Sequence, residues 1–183
     1  MKNKLLNPEF MKIATVEDVE REINNGVDVN ARDRMGRTPL MHAACYSTNP
    51  EVITTLVKNG ADVHAGTQFG CTALMDAAYN PNLEILTVLI ENGADVNARN
   101  KNGITALMLA ITGNTNPEIL TALVKNGADV NARNRFGLTP LGIAQLNPNS
   151  EIITDALFKS GADPQLTDKS GKTFFDFFKK VKH

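Results

Sequence analysis

Asp33-Arg34-Met35-Gly36-Arg37-Thr38-Pro39-Leu40-Met41-His42-Ala43-Ala44, continued by Asn49-Pro50-Glu51 and closed by Asn59-Gly60-Ala61-Asp62-Val63, is the stretch that decides the fold. Asp at the first and Gly at the fourth place of Asp33–Gly36 is the preference of a type I turn, so this tetrapeptide reads as the tip of a finger. Thr38 then reads as an N-cap whose hydroxyl accepts an orphan backbone N–H, and Pro39 sits where its missing N–H costs little. A first helix therefore begins at Pro39, with Leu40 and Ala44 on one stripe and the small Ala43-Ala44 pair allowing a neighbouring helix to approach. Asn49-Pro50-Glu51 repeats the cap-then-proline start. Val52, Ile53, Leu56 and Val57 give the second helix one apolar face, and Asn59-Gly60 supplies the left-handed residue that ends it.

Outward from this unit the same pattern recurs. A Gly-x-Asp element stands at Gly26, Gly60, Gly93, Gly127 and Gly161, and a Thr-x-x element at Thr38, Thr72, Thr105, Thr139 and Thr173, both at intervals of 34, 33, 34 and 34. Two independent markers run in register over almost the whole chain. A two-helix unit exposes apolar surface on both flanks and cannot bury it alone, so the units must stack into one continuous core. Second-helix starts are read at Asn80-Pro81, Asn116-Pro117 and Asn147-Pro148, and turn glycines at Gly70, Gly103, Gly137 and Gly171.

The pattern D-x-x-G-x-T-P-L, then A-A, an E-I/V pair and N-G-A-D-V-N-A, resembles the ankyrin-repeat consensus. The resemblance implies an all-α solenoid of helix-turn-helix units with β-turn or hairpin fingers, in four full repeats at 32–65, 66–98, 99–132 and 133–166. Residues 10–31 are expected to form an N-terminal capping repeat in which only the second helix, Val16 to Asn25, is clear. Residues 167–183 are expected to form a C-terminal capping half repeat. Met41, Met75, Met108 and Gly142 replace the histidine that usually follows T-P-L, so thioether packing is expected in its place. Three units carry one residue more than the usual 33. Two of the extra residues are placed near Ser47–Asn49 and Asn114–Asn116, and the third between Ile153 and Gly161. Gly66 and Thr67 replace the usual Arg-Asp, which predicts a looser second finger.

Composition narrows the function. The chain has 183 residues, 42% apolar and 21% charged, with 19 Lys and Arg against 20 Asp and Glu. That balance argues against a protein held to nucleic acid through phosphates, and no apolar run approaches the ~18 residues of a membrane span. Residues 1–9 read as a possible tag or truncated leader, because Asn7-Pro8-Glu9 breaks any apolar signal core before it develops. Location in the cell is therefore open, with a cytoplasmic leaning and export possible if a leader was removed. Cys45 and Cys71 show no zinc or disulfide pattern and read as reduced structural thiols. His42, His64 and His183 have no metal-ligand spacing, and the glycines form no phosphate-cradling loop, so no cofactor, metal or small-molecule substrate is indicated. His42 and Asp76 occupy the same first-helix position in adjacent units. A His–carboxylate contact and plain surface decoration are both open there, but no nucleophile completes a catalytic set. The Asp of each Gly-x-Asp reads as a local turn acceptor.

Repeated columns build the core, so recognition is sought in the columns that vary. At the finger tips these are Arg34-Met35, Gln68-Phe69, Lys101-Asn102, Arg135-Phe136 and Lys169-Ser170; after the turn glycine they are Arg37, Cys71, Ile104, Leu138 and Lys172. Tyr46 and Tyr79 close the first helices. In the ankyrin repeats that the chain resembles, fingers and first helices line the concave surface that grips a partner. The candidate partner-binding set is therefore Arg34, Met35, Arg37, Tyr46, Gln68, Phe69, Cys71, Tyr79, Lys101, Ile104, Arg135, Phe136 and Leu138, types that include those enriched at interface hot spots. The alternative is that Phe69 and Phe136 only pack against neighbouring fingers. Fingers rich in Lys and Arg, set against second helices rich in Glu, point to an acidic or mixed-charge protein partner. Phe174, Phe175, Phe177 and Phe178, followed by lysines, read as a cap over the last unit, or else as a docking element. The functional expectation is a non-catalytic, monomeric protein–protein interaction module. The alternative is a structural scaffold, or an exported effector that depends on a partner or on further sequence.

Overall fold

The computed structural model describes residues 3–113, 116–147 and 150–178. The insertion read near Asn114–Asn116, Pro148 of the last Asn-Pro start, the side chains of Phe177 and Phe178, and the terminal lysines fall wholly or partly outside the described residues. A 3-10 turn at Lys4–Leu6 leads into helices α1 (Pro8–Ile13), α2 (Val16–Asn24), α3 (Pro39–Tyr46), α4 (Pro50–Lys58), α5 (Ala73–Ala77) and α6 (Leu83–Glu91). After these come α7 (Ala106–Gly113), α8 (Pro117–Lys125), α9 (Pro140–Ala144), α10 (Ser150–Lys159) and α11 (Phe174–Phe178). Among the described residues there is no strand.

The helices lie in two rows. α1, α3, α5, α7, α9 and α11 pack each on the next, and α2, α4, α6 and α8 form the second row. Thr38, Thr72 and Thr139 cap their helices through the hydroxyl, and Asn49, Asn82 and Asn116 cap theirs through the amide oxygen. Each second helix ends alike: Ala61, Ala94, Ala128 and Ala162 donate their N–H to the carbonyl five residues back, across a glycine with φ between 86° and 89°. This closure satisfies carbonyls that would otherwise be orphaned. It also fixes the register of Leu56, Leu89, Leu123 and Leu157, all fully buried. Each such leucine stabilises the stack by about 1.5–3 kcal/mol.

Three details depart from the sequence reading. The second-helix start at Asn80-Pro81 is displaced: the cap is Asn82, while Asn80 reaches back to donate to the carbonyls of Ala44 and Ser47, both at 3.0 Å. In the fourth unit the extra residue falls ahead of α10, not between Ile153 and Gly161. Ala162 bonds Leu157 as Ala128 bonds Leu123, so the helix end holds its register and the surplus is absorbed before Ser150. Ile152 consequently takes the outward place that Glu118 has in α8 and is exposed, and Thr154 takes the place of Leu120 with its buried hydroxyl unpaired. The first unit has both its helices. Asn7-Pro8-Glu9 is itself a cap-then-proline start, with the Asn7 side chain accepting from Glu9 and Phe10. Leu5 and Met11 are fully buried, and Lys4 pairs with Glu22 at 2.7 Å, so the segment from Asn3 onward packs as part of the core. The second finger closes without Asp but through longer bonds, as the looser reading expects. Thr67 Oγ1 accepts from Phe69 and Cys71 at 3.3 and 3.1 Å, where Asp33 Oδ1 accepts from Met35 and Arg37 at 2.8 and 2.9 Å.

Met41, Met75 and Met108 are buried in the core as the thioether reading requires. The Gly-x-Asp aspartates each accept the N–H two residues on, at 2.8–2.9 Å, which makes them turn acceptors. At the end of the array Phe174 is buried edge-on between Phe158 and Phe175, closing part of the open flank, while Phe175 stays half exposed.

Candidate partner-binding surface

Successive finger tips are tied by one backbone hydrogen bond each. Gln68 donates to Met35, Lys101 to Phe69, Arg135 to Asn102 and Lys169 to Phe136, at 3.4, 2.9, 2.8 and 3.0 Å. The tips thus form a continuous edge whose backbone is set in advance of any contact. Met35, Phe69 and Phe136 project from it and are 53%, 57% and 54% exposed, far more than packing against neighbouring fingers would leave. Arg135 lies over the Phe136 ring at 4.6 Å and donates to Asn102 Oδ1, so this aromatic is flanked by a fixed cation. Gln68 is held against the first finger by a bond to the Arg34 carbonyl at 2.9 Å. Arg34 and Lys101 are exposed.

The residues after the turn glycine behave differently. Arg37, Cys71, Ile104 and Leu138 are only half exposed, and the last three pack against the core. Three further arginines counted toward the basic edge, Arg32, Arg99 and Arg133, are spent on structure: Arg32 donates to the carbonyls of Gly36 and Gly66, Arg99 to that of Arg133, and Arg133 to those of Gly137 and Thr167. The sequence could have shown this, because these arginines share one column at the base of the finger, the column in which Gly66 stands without a side chain.

A second ladder was also unread. Asn30, Asn97 and Asn131 each bridge to the next unit twice, donating to the carbonyl of Gly60, Gly127 or Gly161 and accepting from the N–H of Asp62, Asp129 or Asp163. His64 interrupts the column. A cleft of about 120 Å³ lined by Val63, His64, Thr72, Ala94, Asp95 and Ala98 lies at that step.

On the first helices neither reading of His42 and Asp76 holds: the two do not pair with each other, and His42 is buried instead of decorating the surface. His42 Nε2 instead meets Asp33 Oδ2 at 3.0 Å within its own unit, and Asp76 pairs with Arg37 of the preceding unit at 3.1 Å. The Arg37 column continues with Cys71, Ile104, Leu138 and Lys172, and the Asp76 column holds His42, Leu109 and Ile143, so the charged contacts are confined to the first two units and apolar side chains follow in the third and fourth. Burial pushes the Asp76 carboxyl up to about 6, and Arg37 only partly offsets it. Burial also lowers His42, against the support of Asp33. Asp33 falls below the usual carboxylate range: burial opposes this, but N–H groups of Arg37 and Met35 and the His42 ring outweigh it. Cys45, half buried beside Asp76, is raised by burial and by that carboxylate. Among the described residues His42 and Asp33 form a pair within one unit, and no cluster of three metal-ligating side chains forms.

Tyr46 stacks near His42, with ring centroids 6.2 Å apart. Tyr79 is half exposed and lies across Gly113 of the next unit so closely that a Cβ there would stand 2.2 Å from the ring. Glycine is therefore required at 113 for the approach of the ring and not for its backbone angle.

The geometry agrees with what known proteins show. The family model described as ankyrin repeats in three copies matches residues 11–100 and 74–168. Among curated proteins, ankyrin repeat protein FPV233 of Fowlpox virus (strain NVSL) is 46% identical over 43 residues, 24% of this chain and 8% of the viral protein. The mitochondrial disaggregase of Bos taurus is 41% identical over 61 residues, 33% and 9% of the two chains. Ankyrin repeat and SOCS box protein 6 of Homo sapiens is 42% identical over 59 residues, 30% and 14%. The matched regions span between 8% and 14% of the length of these relatives. With a repeat beat of 33–34 residues, two rows of stacked helices and a family match running from residue 11 to 168, the chain belongs to the ankyrin-repeat family.

Proposed function

We propose that this chain is a protein–protein interaction module that works without catalysis and grips its partner along the finger-tip edge and the exposed ends of the first helices. The observation that carries the reading is the exposure of Met35, Phe69 and Phe136 on tips already fixed by backbone bonds. A backbone already ordered in the free protein loses little freedom on binding, and the large apolar side chains it carries are the natural anchors of an interface. Arg34, Lys101 and Arg135 around them favour a partner with an acidic surface. Arg37, Cys71, Ile104 and Leu138 support the tips from behind.

The test is affinity purification from the source cell with the wild-type chain and with a variant carrying Phe69→Ala, Tyr79→Ala and Phe136→Ala. Loss of a captured protein with an unchanged melting transition is the expected result. Retention of every captured protein by the variant removes the fingers from the binding surface.

A further inference from the structure

At the finger tips exposed aromatic side chains stand two units apart, with Met35 exposed in the tip before the first of them. Phe69 and Phe136 stand 67 positions apart (136 minus 69), as do the exposed Tyr79 and Leu146 (146 minus 79). The backbone follows the same double beat. α3 and α7 have eight residues, α5 and α9 have five, and the shortened helices are followed by Asn80 and Asn147, which reach back to the carbonyls of Ala44 and Ile111. The fingers 66–72, 99–105 and 133–139 contain no acidic residue, and Lys101 and Arg135 stand at the tips between the two phenylalanines, while Arg99 and Arg133 are held on backbone carbonyls.

The spacing follows from the bonds. From Phe69 the edge crosses to Lys101 by one backbone hydrogen bond, moves one residue to Asn102, crosses to Arg135 by another, and moves one residue to Phe136. Each crossing passes from one stacked unit to the next, and stacked helices lie ~8–10 Å apart, giving about 9 Å per unit and about 18 Å between the two Phe positions. An extended peptide rises ~3.3 Å per residue and turns like faces the same way only at even separations, so about 18 Å corresponds to side chains six residues apart.

We infer that the finger edge is a two-socket reader for an extended acidic segment of a partner protein, with large apolar side chains at positions i and i+6 seated at Phe69 and Phe136 and carboxylates between them facing Lys101 and Arg135. The inference rests on the proposed finger-edge function and specifies its ligand.

Random dodecamers displayed on phage, selected on the intact chain and counter-selected on the Phe69→Ala/Phe136→Ala variant, test it. The expected outcome is enrichment of peptides with two large apolar residues six apart and acidic residues between. Synthetic copies should bind more than tenfold more tightly than copies with either anchor replaced by Ser or with the spacing cut to three, and Lys101→Glu should weaken them further. Substitution-sensitive peptides with a single anchor or no fixed spacing overturn the inference and leave the finger-edge function standing. Peptides that bind the variant equally well overturn both, and failure to enrich any peptide overturns the inference.

Discussion

Replacing Asp76 by Asn neutralises one side of the ionic contact between the first two units, and its effect on stability should depend on pH in a way that the structure fixes. The Asp76 side chain is 15% exposed and that of Arg37 24%, so neither charge is well hydrated. With the carboxyl raised from 3.8 to about 6, the ionised form costs the folded state about 3 kcal/mol relative to the protonated one, at 1.36 kcal/mol per unit. A group whose folded pKa lies above its unfolded value stabilises most below the unfolded value, and that stability is lost as pH rises through the folded value. Asp76 therefore weakens the wild type at pH 7 and ceases to do so toward pH 4. His42 acts in the opposite direction, since its lowered pKa gives stability above 6.5 that is lost on acidification. It is present in both proteins, however, and cancels in their difference. Urea unfolding of wild type and Asp76→Asn, followed by the same probe at pH 7 and pH 5, should show wild type gaining on the variant by about 1 kcal/mol over that interval. A difference that stays constant between the two pH values would refute the argument that burial, and not Arg37, governs Asp76.

Other consequences are open to measurement. His64→Asn should restore both rungs to Gly93 and Asp95 and raise stability by about 1–2 kcal/mol, at roughly 0.5–1.5 kcal/mol per bond, visible as a higher melting temperature; no gain would mean that the cleft beside His64 is already filled by other contacts. Gly113→Ala should destabilise the wild type by driving Tyr79 from its seat, yet stabilise a Tyr79→Ala background by up to about 1 kcal/mol through helix propensity. The same sign in both backgrounds would show that the ring does not depend on Gly113. Leu5→Ala should cost about 2–5 kcal/mol in denaturant unfolding, as for any fully buried leucine, and a loss under 0.5 kcal/mol would remove the segment before Met11 from the core.

Local chemistry was enough to read the fold because every unit carries its own starts and stops. Thr38, Thr72 and Thr139 cap helices where they stand, Gly60 and its equivalents end them, and the 33–34-residue beat forces stacking. The reading failed where a residue's partner lies one unit away. Asn80 carries the same local cap-and-proline pattern as Asn49, yet its amide is used 33–36 residues back. The extra residue of the fourth unit was misplaced because Glu151-Ile152 imitates Glu118-Ile119, whereas the closure onto Leu157 sets the register. Asn7-Pro8-Glu9 was read as an interrupted signal, because only the burial of Leu5 and Met11 shows that a helix is needed there.

The candidate surface divides along the same line. Which columns vary, and that they hold Met35, Phe69 and Phe136 beside Arg34, Lys101 and Arg135, was determined by sequence, since a repeat exposes its departures to simple comparison. Which of those side chains face solvent was decided only by tertiary structure: Phe69 stands out while Cys71, two residues on, turns inward, and Arg32 is bound to the next unit's backbone while Arg34 is free of it. The physical reason is that propensity, capping and turn chemistry act over a few residues, whereas exposure and charge pairing depend on the neighbour that a stacked unit meets some 34 residues away.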